Sequence, residues 1–224
     1  MKKRFIFVIT GMMIAVLAGC NAGSKENKAD AFDKHQLAGT LSMAEGDYRS
    51  AVESYEKALA INPAPNDHAL VYRGLASSYF KLEKYDEALI YLKKAIDVNP
   101  GYALNYALSG TIYNKQKKYD KCMEALETYI ALKPEDIESY QILSNACFEA
   151  KKYAKAIHYA QEYLKYHPDD ADMYLLTGMC HVADGGNIYD IAGAFLKAAE
   201  LGSDKASKYL QMIMEDAARQ SGRE

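Results

Sequence analysis

The sequence predicts an all-α protein, a solenoid of about five helix-turn-helix repeats followed by a C-terminal capping helix. Two observations support this fold class. Apolar residues recur three and four positions apart on both sides of short polar breaks, which is the spacing of paired amphipathic helices. Small residues recur at Ala51, Ala88, Cys122 and Ala156, separated by 37, 34 and 34 residues. A period of about 34 residues indicates stacked helical hairpins.

The repeat that shows the pattern best covers residues 69–100. A polar break at residues 81–84 separates its two predicted helices, and Pro100 ends the second one because proline cannot continue a helix. Its apolar and small positions are Tyr72, Leu75, Ala76, Tyr79, Tyr85, Ala88, Leu92 and Ala95. Each of these positions falls on the buried face of one helix of the pair.

Four other stretches repeat this arrangement. The first unit carries Gly39, Tyr48, Ala51, Tyr55, Ala58 and Pro63; the third Tyr106, Gly110, Tyr113, Tyr119, Leu126 and Pro134; the fourth Tyr140, Ser144, Tyr153, Ala156, Ala160 and Pro168. The fifth begins with Tyr174 and Gly178, but residues 183–187 lengthen its turn before a second helix that holds Ala192, Leu196 and Ala199. We expect Gly39, Ala76, Gly110, Ser144 and Gly178 to lie where paired helices approach closely.

These residues resemble the tetratricopeptide repeat family, and the resemblance extends over the whole predicted solenoid. It implies a right-handed superhelix whose concave face is lined by the first helix of each repeat and takes extended or helical segments of partner proteins. Transferred position by position, the groove comprises Arg73, Ser77, Phe80, Lys81, Thr111, Asn114, Lys115, Gln141, Asn145 and Phe148, and the fifth repeat adds Leu175, Met179 and Val182. The alternative is that these positions are only solvated, since exposed helix faces are polar in any case.

The groove positions combine amides, which can hold a peptide backbone, with cations, which can hold carboxylates. They therefore suit an extended protein ligand. The lysine and asparagine set with which some members of the family hold chaperone tails is not matched, so that specialised use is not expected.

The first residues have the pattern of an export signal. A basic start at Lys2, Lys3 and Arg4 precedes an apolar run that is too short to span a membrane and ends in small residues. Residues 17–20 resemble the bacterial lipoprotein signal, which implies cleavage after residue 19 and acylation of Cys20. Two or more acyl chains give stable anchoring. We therefore expect a protein anchored to the cell membrane or the outer membrane, outside the cytoplasm.

The mature chain is predicted to have three further parts. Residues 20–31 are the lipidated cysteine and a polar, flexible tether. Residues 32–203 are the solenoid. Residues 204–224 are a capping helix and a frayed tail, and Tyr209, Leu210, Ile213 and Met214 would cover the apolar side of the last repeat, as repeat arrays require.

Charge and motifs argue against several classes of function. Loss of the signal takes the formal charge from −3 to −6, and no nucleic-acid-binding motif is present. The five histidines are scattered, without the spacing of a metal site, and there is no phosphate-binding loop or nucleophile elbow. Residues 169–172 are acidic but lack the glycine and closing glutamate of a calcium loop, so they indicate a helix N-terminus. We expect no enzyme activity, no cofactor and no metal.

Three cysteines remain after Cys20, namely Cys122, Cys147 and Cys180. Export would allow disulfides to persist, and a Cys122–Cys147 bridge between adjacent repeats is geometrically conceivable. The favoured interpretation is that all three are small buried hydrophobic residues.

Lysines and acidic residues occupy different turns. Lysines cluster at the turns within repeats two to four, namely Lys81, Lys84, Lys115, Lys117, Lys118, Lys121, Lys151, Lys152 and Lys155. The favoured cause is helix-end electrostatics, because cations are stabilised near helix C-termini. The alternative is a basic edge that faces anionic lipid or wall polymer.

The sequence therefore predicts a lipid-anchored envelope protein that scaffolds or recruits another envelope protein or peptide segment through its groove. The alternative function is an envelope receptor for a small or polymeric ligand such as a peptide or glycan, which a deep aromatic pocket would favour.

Overall fold

The computed structural model describes residues 28–61 and 68–221, which form eleven helices and no strand. The helices are α1 Lys28–Glu45, α2 Tyr48–Ile61, α3 Ala69–Lys81, α4 Tyr85–Val98, α5 Ala103–Lys115, α6 Tyr119–Leu132, α7 Glu138–Glu149, α8 Tyr153–Leu164, α9 Ala171–Ala183, α10 Ile188–Glu200 and α11 Asp204–Ser221. The pairs α1–α2, α3–α4, α5–α6, α7–α8 and α9–α10 are the five predicted repeats. The predicted fold class is confirmed.

Some sequence predictions lie outside the described residues. These are the export signal (1–19), the acylated Cys20, residues 62 and 63 at the end of the first repeat, and the last three residues of the tail. The tether was predicted to extend to residue 31, whereas α1 begins at Lys28. The helix starts earlier because Phe32, which is buried, is already part of the apolar face of α1.

The chain divides into two compact units, residues 1–84 and 85–224. In the first, Tyr55 of α2 is the central side chain and is 3% exposed. A Cβ atom placed on Gly39 would lie 2.8 Å from its ring, and one placed on Gly74 would lie 2.3 Å from it. Both glycines are therefore required for α1 and α3 to approach α2, as the sequence predicted for Gly39.

The second unit repeats this packing with other residues. A Cβ atom on Gly110 would lie 2.6 Å from Leu126, and one on Gly178 would lie 2.6 Å from Phe195. Ser144 occupies the corresponding place in the fourth repeat, and its buried hydroxyl donates to the carbonyl of Ala156 over 2.8 Å. The predicted close approaches in these three repeats are confirmed.

The turns within the repeats share one backbone conformation. Glu83, Lys117 and Lys151 have φ angles of 59°, 56° and 58°, and Gly46 and Gly185 take the same place with 81° and 72°. The residue after each donates its amide to a carbonyl five residues back, for example Lys118 to Tyr113 over 2.8 Å. This is the Schellman ending of a helix, which satisfies carbonyls that the helix leaves open. This turn conformation and its hydrogen bond therefore recur in each of the five repeats.

The fifth repeat departs from the others by one residue. Its turn has four residues between α9 and α10, as predicted, but the buried residues of α10 are Phe195 and Ala198, whereas Leu196 is 53% exposed. The prediction of Leu196 is therefore wrong by one position, because it corresponds to two inserted residues where the turn has one, and one residue turns a helix by about 100°. Ala199, by contrast, packs at the edge of the buried cluster, as predicted.

The last helix covers the fifth repeat. Ala206 of α11 is fully buried with Phe195 and Ala198, and Leu210 and Ile213 pack at the edge of this cluster. The Tyr209 ring stacks on Phe195 with ring centroids 4.9 Å apart. The capping role predicted for this segment is seen for Tyr209, Leu210 and Ile213. Met214 is 70% exposed and does not contribute to the cover.

Candidate protein-binding faces

In the first unit, the predicted binding residues lie along one side of α3. Arg73, Ser77 and Phe80 are half-buried, and Lys81 is exposed at the end of the helix. Their spacing of four, three and one residues places them on one face, since helical neighbours are three and four positions apart. Leu75 and Ala76, between them in sequence, are fully buried on the packed side of the same helix.

The predicted residues of α5 differ in what their side chains already bind. The Thr111 hydroxyl donates to the carbonyl of Ala107 over 2.9 Å within the helix. Asn114 is half-buried and Lys115 exposed, and neither side chain has a hydrogen-bond or ion-pair partner among the described residues. An amide and an ammonium group are therefore available to a ligand at this end of α5.

On α7, two of the three predicted residues are engaged. Gln141 Nε2 donates to Asp170 Oδ2 over 3.4 Å, and Asn145 Nδ2 donates to the carbonyl of Gln141 over 2.9 Å. Asp170 also caps α9, accepting the amide of Met173 over 2.9 Å. The acidic stretch before α9 is thus a helix N-terminus, as predicted.

Phe148 of α7 lines an apolar cavity of about 200 Å³ with residues of α8, α9, α10 and α11. The other lining residues are Tyr153, Met179, Val182, Ala183, Phe195 and Tyr209. Met179 and Val182 were predicted for the binding face, and Val182 is 53% exposed. Leu175 was also predicted there, but it is buried against Phe195 and Ala206, because α11 covers that part of α9.

A second cavity, of about 300 Å³, lies between α4, α5 and α6 and was not predicted. Its lining residues are Leu89, Lys93, Ile96, Tyr106, Ser109, Tyr113, Lys121, Glu124, Ala125 and Thr128. The signal that could have found it is a comparison of adjacent repeats. Ser109 and Ala125 stand 34 residues before Leu143 and Tyr159, which are much larger.

The lysines at the turns are partly neutralised. Lys152 lies 2.7 Å from Asp120, Lys155 lies 2.7 Å from Glu127, and Lys118 lies 4.0 Å from Asp86. These pairs join a turn to the second helix of the preceding repeat. Since they are exposed, each stabilises the fold by no more than about 1 kcal/mol. They support the interpretation of the lysines as part of the repeat's own electrostatics over that of a lipid-facing edge.

The three cysteines are buried thiols, as predicted, and no disulfide joins them. The Cys147 thiol donates to the sulfur of Met123 over 3.2 Å. Burial raises the pKa of Cys122 and Cys147 to about 11 and that of Cys180 to about 12. All three are therefore protonated and unreactive at neutral pH.

Within residues 28–61 and 68–221, no group of three histidine, cysteine or acidic side chains could hold a metal ion. No helix in these ranges is both long and apolar enough to cross a membrane.

Three family models, each described as tetratricopeptide repeat, match residues 30–101, 79–147 and 143–206. Together they extend from α1 into α11. Two curated relatives match shorter stretches. The small glutamine-rich tetratricopeptide repeat-containing protein 2 of Saccharomyces cerevisiae is 32% identical over 85 residues, 38% of this chain and 23% of that protein. The photosystem I assembly protein Ycf3 of Synechococcus is 31% identical over 94 residues, 42% of this chain and 51% of Ycf3. The chain thus spans about half or less of these relatives.

Solved structures resemble a larger part of the chain. The MamA protein has a TM-score of 0.68 with 21% identity, covering 80% of this chain and 96% of MamA. YrrB, described as a tetratricopeptide repeat protein with an unusual peptide-binding site, has a TM-score of 0.69 with 17% identity, covering 84% of this chain and 94% of YrrB. At these identities the likeness establishes the fold.

Proposed function

This chain belongs to the tetratricopeptide repeat family, and on that premise we propose that it is a lipid-anchored scaffold of a bacterial cell envelope. In this proposal it recruits another envelope protein, or a peptide segment of one, through the exposed face of its first helices. The family supports a role in protein–protein interaction. The anchor, the location and the binding residues are the parts that experiments must test.

The observation that carries the binding site is the end of α5. Asn114 and Lys115 present an amide and a cation without partners among the described residues, whereas Thr111 one turn earlier is bonded to its own helix. A partially buried amide without a partner gains more from a ligand than a solvated one, because it has already lost part of its hydration. An extended peptide offers the backbone carbonyls and side-chain carboxylates that such groups bind.

An apolar contact completes the proposed site. Phe148 and Val182 line the cavity of about 200 Å³ beside α7 and α9, where an apolar side chain of the partner can be buried. Burying one such side chain contributes about 1.5–3 kcal/mol. The polar groups of α5 would then fix the orientation of the partner, and Phe148 would contribute affinity.

Two of the similar proteins support this assignment through what their own names say. YrrB is a repeat protein with a peptide-binding site, and Ycf3 is an assembly protein. Both descriptions fit a scaffold that acts by binding other polypeptides.

Support for the anchor comes from the sequence of the first twenty residues. The basic start, the short apolar run and Cys20 after small residues have the pattern of a lipoprotein signal. If the native chain is expressed with an alkyne-labelled fatty acid, we expect the chain to carry the label and to be found in the membrane fraction. Cys20→Ser should lose both, and retention of the label by that variant would exclude acylation at this residue.

The binding face can be tested by crosslinking and capture from membranes that contain the full chain. The test variant is Asn114→Ala, Lys115→Ala and Phe148→Ala. The matched control is Gln161→Ala, Lys165→Ala and Tyr166→Ala, which removes an amide, a cation and an aromatic ring from α8 and the residues after it. We expect the test variant to lose a protein that the wild type and the control capture. Equal capture by all three would overturn the proposed face.

The alternative of a receptor for a small ligand receives less support. A deep aromatic pocket would favour it, and the cavity beside Phe148 has aromatic walls. However, its volume of about 200 Å³ lies below the range of about 300–1,000 Å³ that is usual for small-molecule sites.

A further inference from the structure

We propose that the cavity between α4, α5 and α6 is a second protein-binding site, which takes an aromatic side chain of a partner together with a neighbouring carboxylate. The next repeat of this chain fills the same place with its own aromatic ring and carboxylate. The partner would supply the two groups that the third repeat lacks. We refer to this site as the Ala125 cavity.

The walls of the Ala125 cavity are apolar and its rim is charged. Leu89 and Ile96 of α4 face Ala125 of α6, and Tyr106 and Tyr113 of α5 add two rings. Two polar groups of the walls are already bonded. Tyr106 donates to the carbonyl of Pro100 over 3.1 Å, and Ser109 donates to the carbonyl of Asn105 over 2.8 Å. The volume of about 300 Å³ can hold one or two side chains and lies at the lower end of the range of about 300–1,000 Å³ for small-molecule sites, so the test below includes a small molecule.

The equivalent space between α6, α7 and α8 is filled. In a frame shifted by 34 residues, Leu143 replaces Ser109 and Tyr159 replaces Ala125. Leu143 is fully buried, Tyr159 is 9% exposed, and both belong to one core cluster. The Tyr159 ring lies 6.2 Å from that of Tyr140, centroid to centroid. The Ala125 cavity is thus the same helix arrangement with smaller side chains at these two positions, although Tyr113 is larger than its counterpart Cys147.

The charged residues of the Ala125 cavity also differ from those of the filled site. Glu127 of the filled site accepts from Tyr159 over 3.0 Å and from Lys155 over 2.7 Å. Although partial burial alone would raise it, these bonds hold the pKa of the Glu127 carboxyl below its usual value. The Ala125 cavity has Lys93 in place of Glu127 and Lys121 in place of Lys155. Two lysines therefore stand where the next repeat has a carboxylate and a lysine.

Neither lysine has a carboxylate partner among the described residues. The Lys121 ammonium lies 5.7 Å from the centroid of the Tyr113 ring, within the range of a cation–π contact. Glu124, on the rim, is the one acidic group that lines the cavity and is also unpaired within the described chain. The lining therefore carries one net positive charge, which favours an occupant with a carboxylate.

This site is separate from the proposed face of the first helices, since it shares no residue with Asn114, Lys115 and Phe148. This proposal rests on the proposed function in one respect, namely that the occupant of the cavity is a protein. A partner lost through the face variant and retained by a variant of the Ala125 cavity would show that the two sites act independently.

The test uses the full chain and a peptide of alternating glutamate and tyrosine with blocked ends, titrated by calorimetry. Matched peptides carry glutamine in place of glutamate or serine in place of tyrosine. N-acetyltyrosine tests whether a small molecule suffices. The protein variants are Lys93→Glu alone and Lys93→Glu with Ala125→Tyr, which together rebuild the tyrosine, carboxylate and lysine set of the next repeat. Lys94→Glu is the control, because Lys94 is exposed on α4 but does not line the cavity.

We expect the glutamate–tyrosine peptide to bind the wild type and the control at least about tenfold more tightly than either variant, a difference of about 1.4 kcal/mol. Both matched peptides and N-acetyltyrosine should bind more weakly. The double variant should also melt at a higher temperature, since it fills the cavity and gains an ion pair. Absence of peptide binding, equal binding by the glutamine peptide or N-acetyltyrosine, or unchanged binding by Lys93→Glu would overturn the proposal.

Discussion

Three residues in the described part of this chain hold a backbone conformation that suits glycine better. Glu83, Lys117 and Lys151 end the first helices of their repeats with φ between 56° and 59°. In this left-handed region the Cβ atom crowds the following carbonyl, which costs a non-glycine residue roughly 1–2 kcal/mol. Gly46 and Gly185 take the same place at no such cost. The chain therefore carries local strain at three of its five turns.

Glu83 is the residue at which relief should be largest. We expect Glu83→Gly to stabilise the protein by roughly 1 kcal/mol, since it removes the strain and also a carboxylate next to the negative end of a helix dipole. Thermal unfolding followed by circular dichroism should show a melting temperature about 2–4 °C higher.

Lys117→Gly is the comparison, because it relieves the same strain but loses a favourable cation at a helix end. Its gain should be smaller than that of Glu83→Gly. If neither substitution raised the melting temperature, the left-handed turns would not be a source of strain in this fold.

At this scale, the close-packing residues could be predicted and the turn conformation was not. Gly110 and Gly178 recur at one position of a 34-residue period, so their role follows from alignment of the chain with itself. The left-handed turns occur at Glu83, Lys117 and Lys151, none of which has a residue type that signals this conformation. Their geometry is imposed by the hydrogen bonds that close each helix.

Among the elements, α11 has one covered face and one exposed face. Ala206 is buried and Tyr209 stacks on Phe195, whereas Met212 and Met214 are 64% and 70% exposed. The helix therefore covers the fifth repeat with one face, which also includes Leu210 and Ile213. Met212 and Met214 lie on the opposite, exposed face of the helix.

This asymmetry predicts different effects for two substitutions on α11. Tyr209→Ala should destabilise the protein by about 1–2 kcal/mol through loss of the stacked ring pair and its buried area. Met214→Ala should change the free energy of unfolding by less than about 0.5 kcal/mol, as is usual at exposed positions. Urea unfolding of both variants is the measurement, and equal effects would contradict the described orientation of the helix.

The helices themselves could be predicted because most have a clear apolar period, and a polar break or a proline follows their ends. The register of α10 could not be predicted, since a lengthened turn indicates that the helix is shifted but not by how many residues. Leu196 would be buried if the turn had two additional residues, whereas it has one and Phe195 is buried instead. The earlier start of α1 was also missed, because charged residues precede Phe32 and resemble a tether.

At the scale of the whole second unit, residues 85–224, the core from α6 to α9 is continuous. Cys122, Cys147 and Cys180 lie on three different helices but in one buried cluster with Leu143 and Ala156. Access to any one of these thiols therefore requires the cluster to open. Opening at one helix alone would leave the neighbouring apolar side chains without their partners.

We expect the three thiols of the Cys20→Ser chain to react with a maleimide at pH 7 together and only at the rate of unfolding. Burial raises the pKa of each thiol to about 11 or above, so the reactive thiolate is scarce in the folded state and abundant only after the chain unfolds. Mass spectrometry of partially labelled protein should show zero or three adducts. A population with one or two would indicate separate opening of the repeats or a disulfide.

The two candidate binding sites also differ in how far the sequence predicts them. The face of α5 and α7 follows from helical periodicity and the family resemblance. Which of its polar groups are free depends on side-chain bonds such as that of Gln141 with Asp170, which a pattern of residue types does not specify. The Ala125 cavity depends on two small side chains meeting across two helices, and the sequence shows that only when the repeats are compared with each other.

The filled and the open form of one helix arrangement occur in adjacent repeats of this molecule. Comparison of the two therefore indicates which substitutions can produce such a site. Ser109, Ala125 and Lys93 are three of the positions that distinguish the two forms, and none of them lies in a turn. After a repeat is duplicated, substitutions of single side chains can therefore fill the site and raise stability, or open it and create a binding site. The backbone stays the same in both cases. Transposing the third and fourth repeats would be expected to move the open site along the chain without redesigning it.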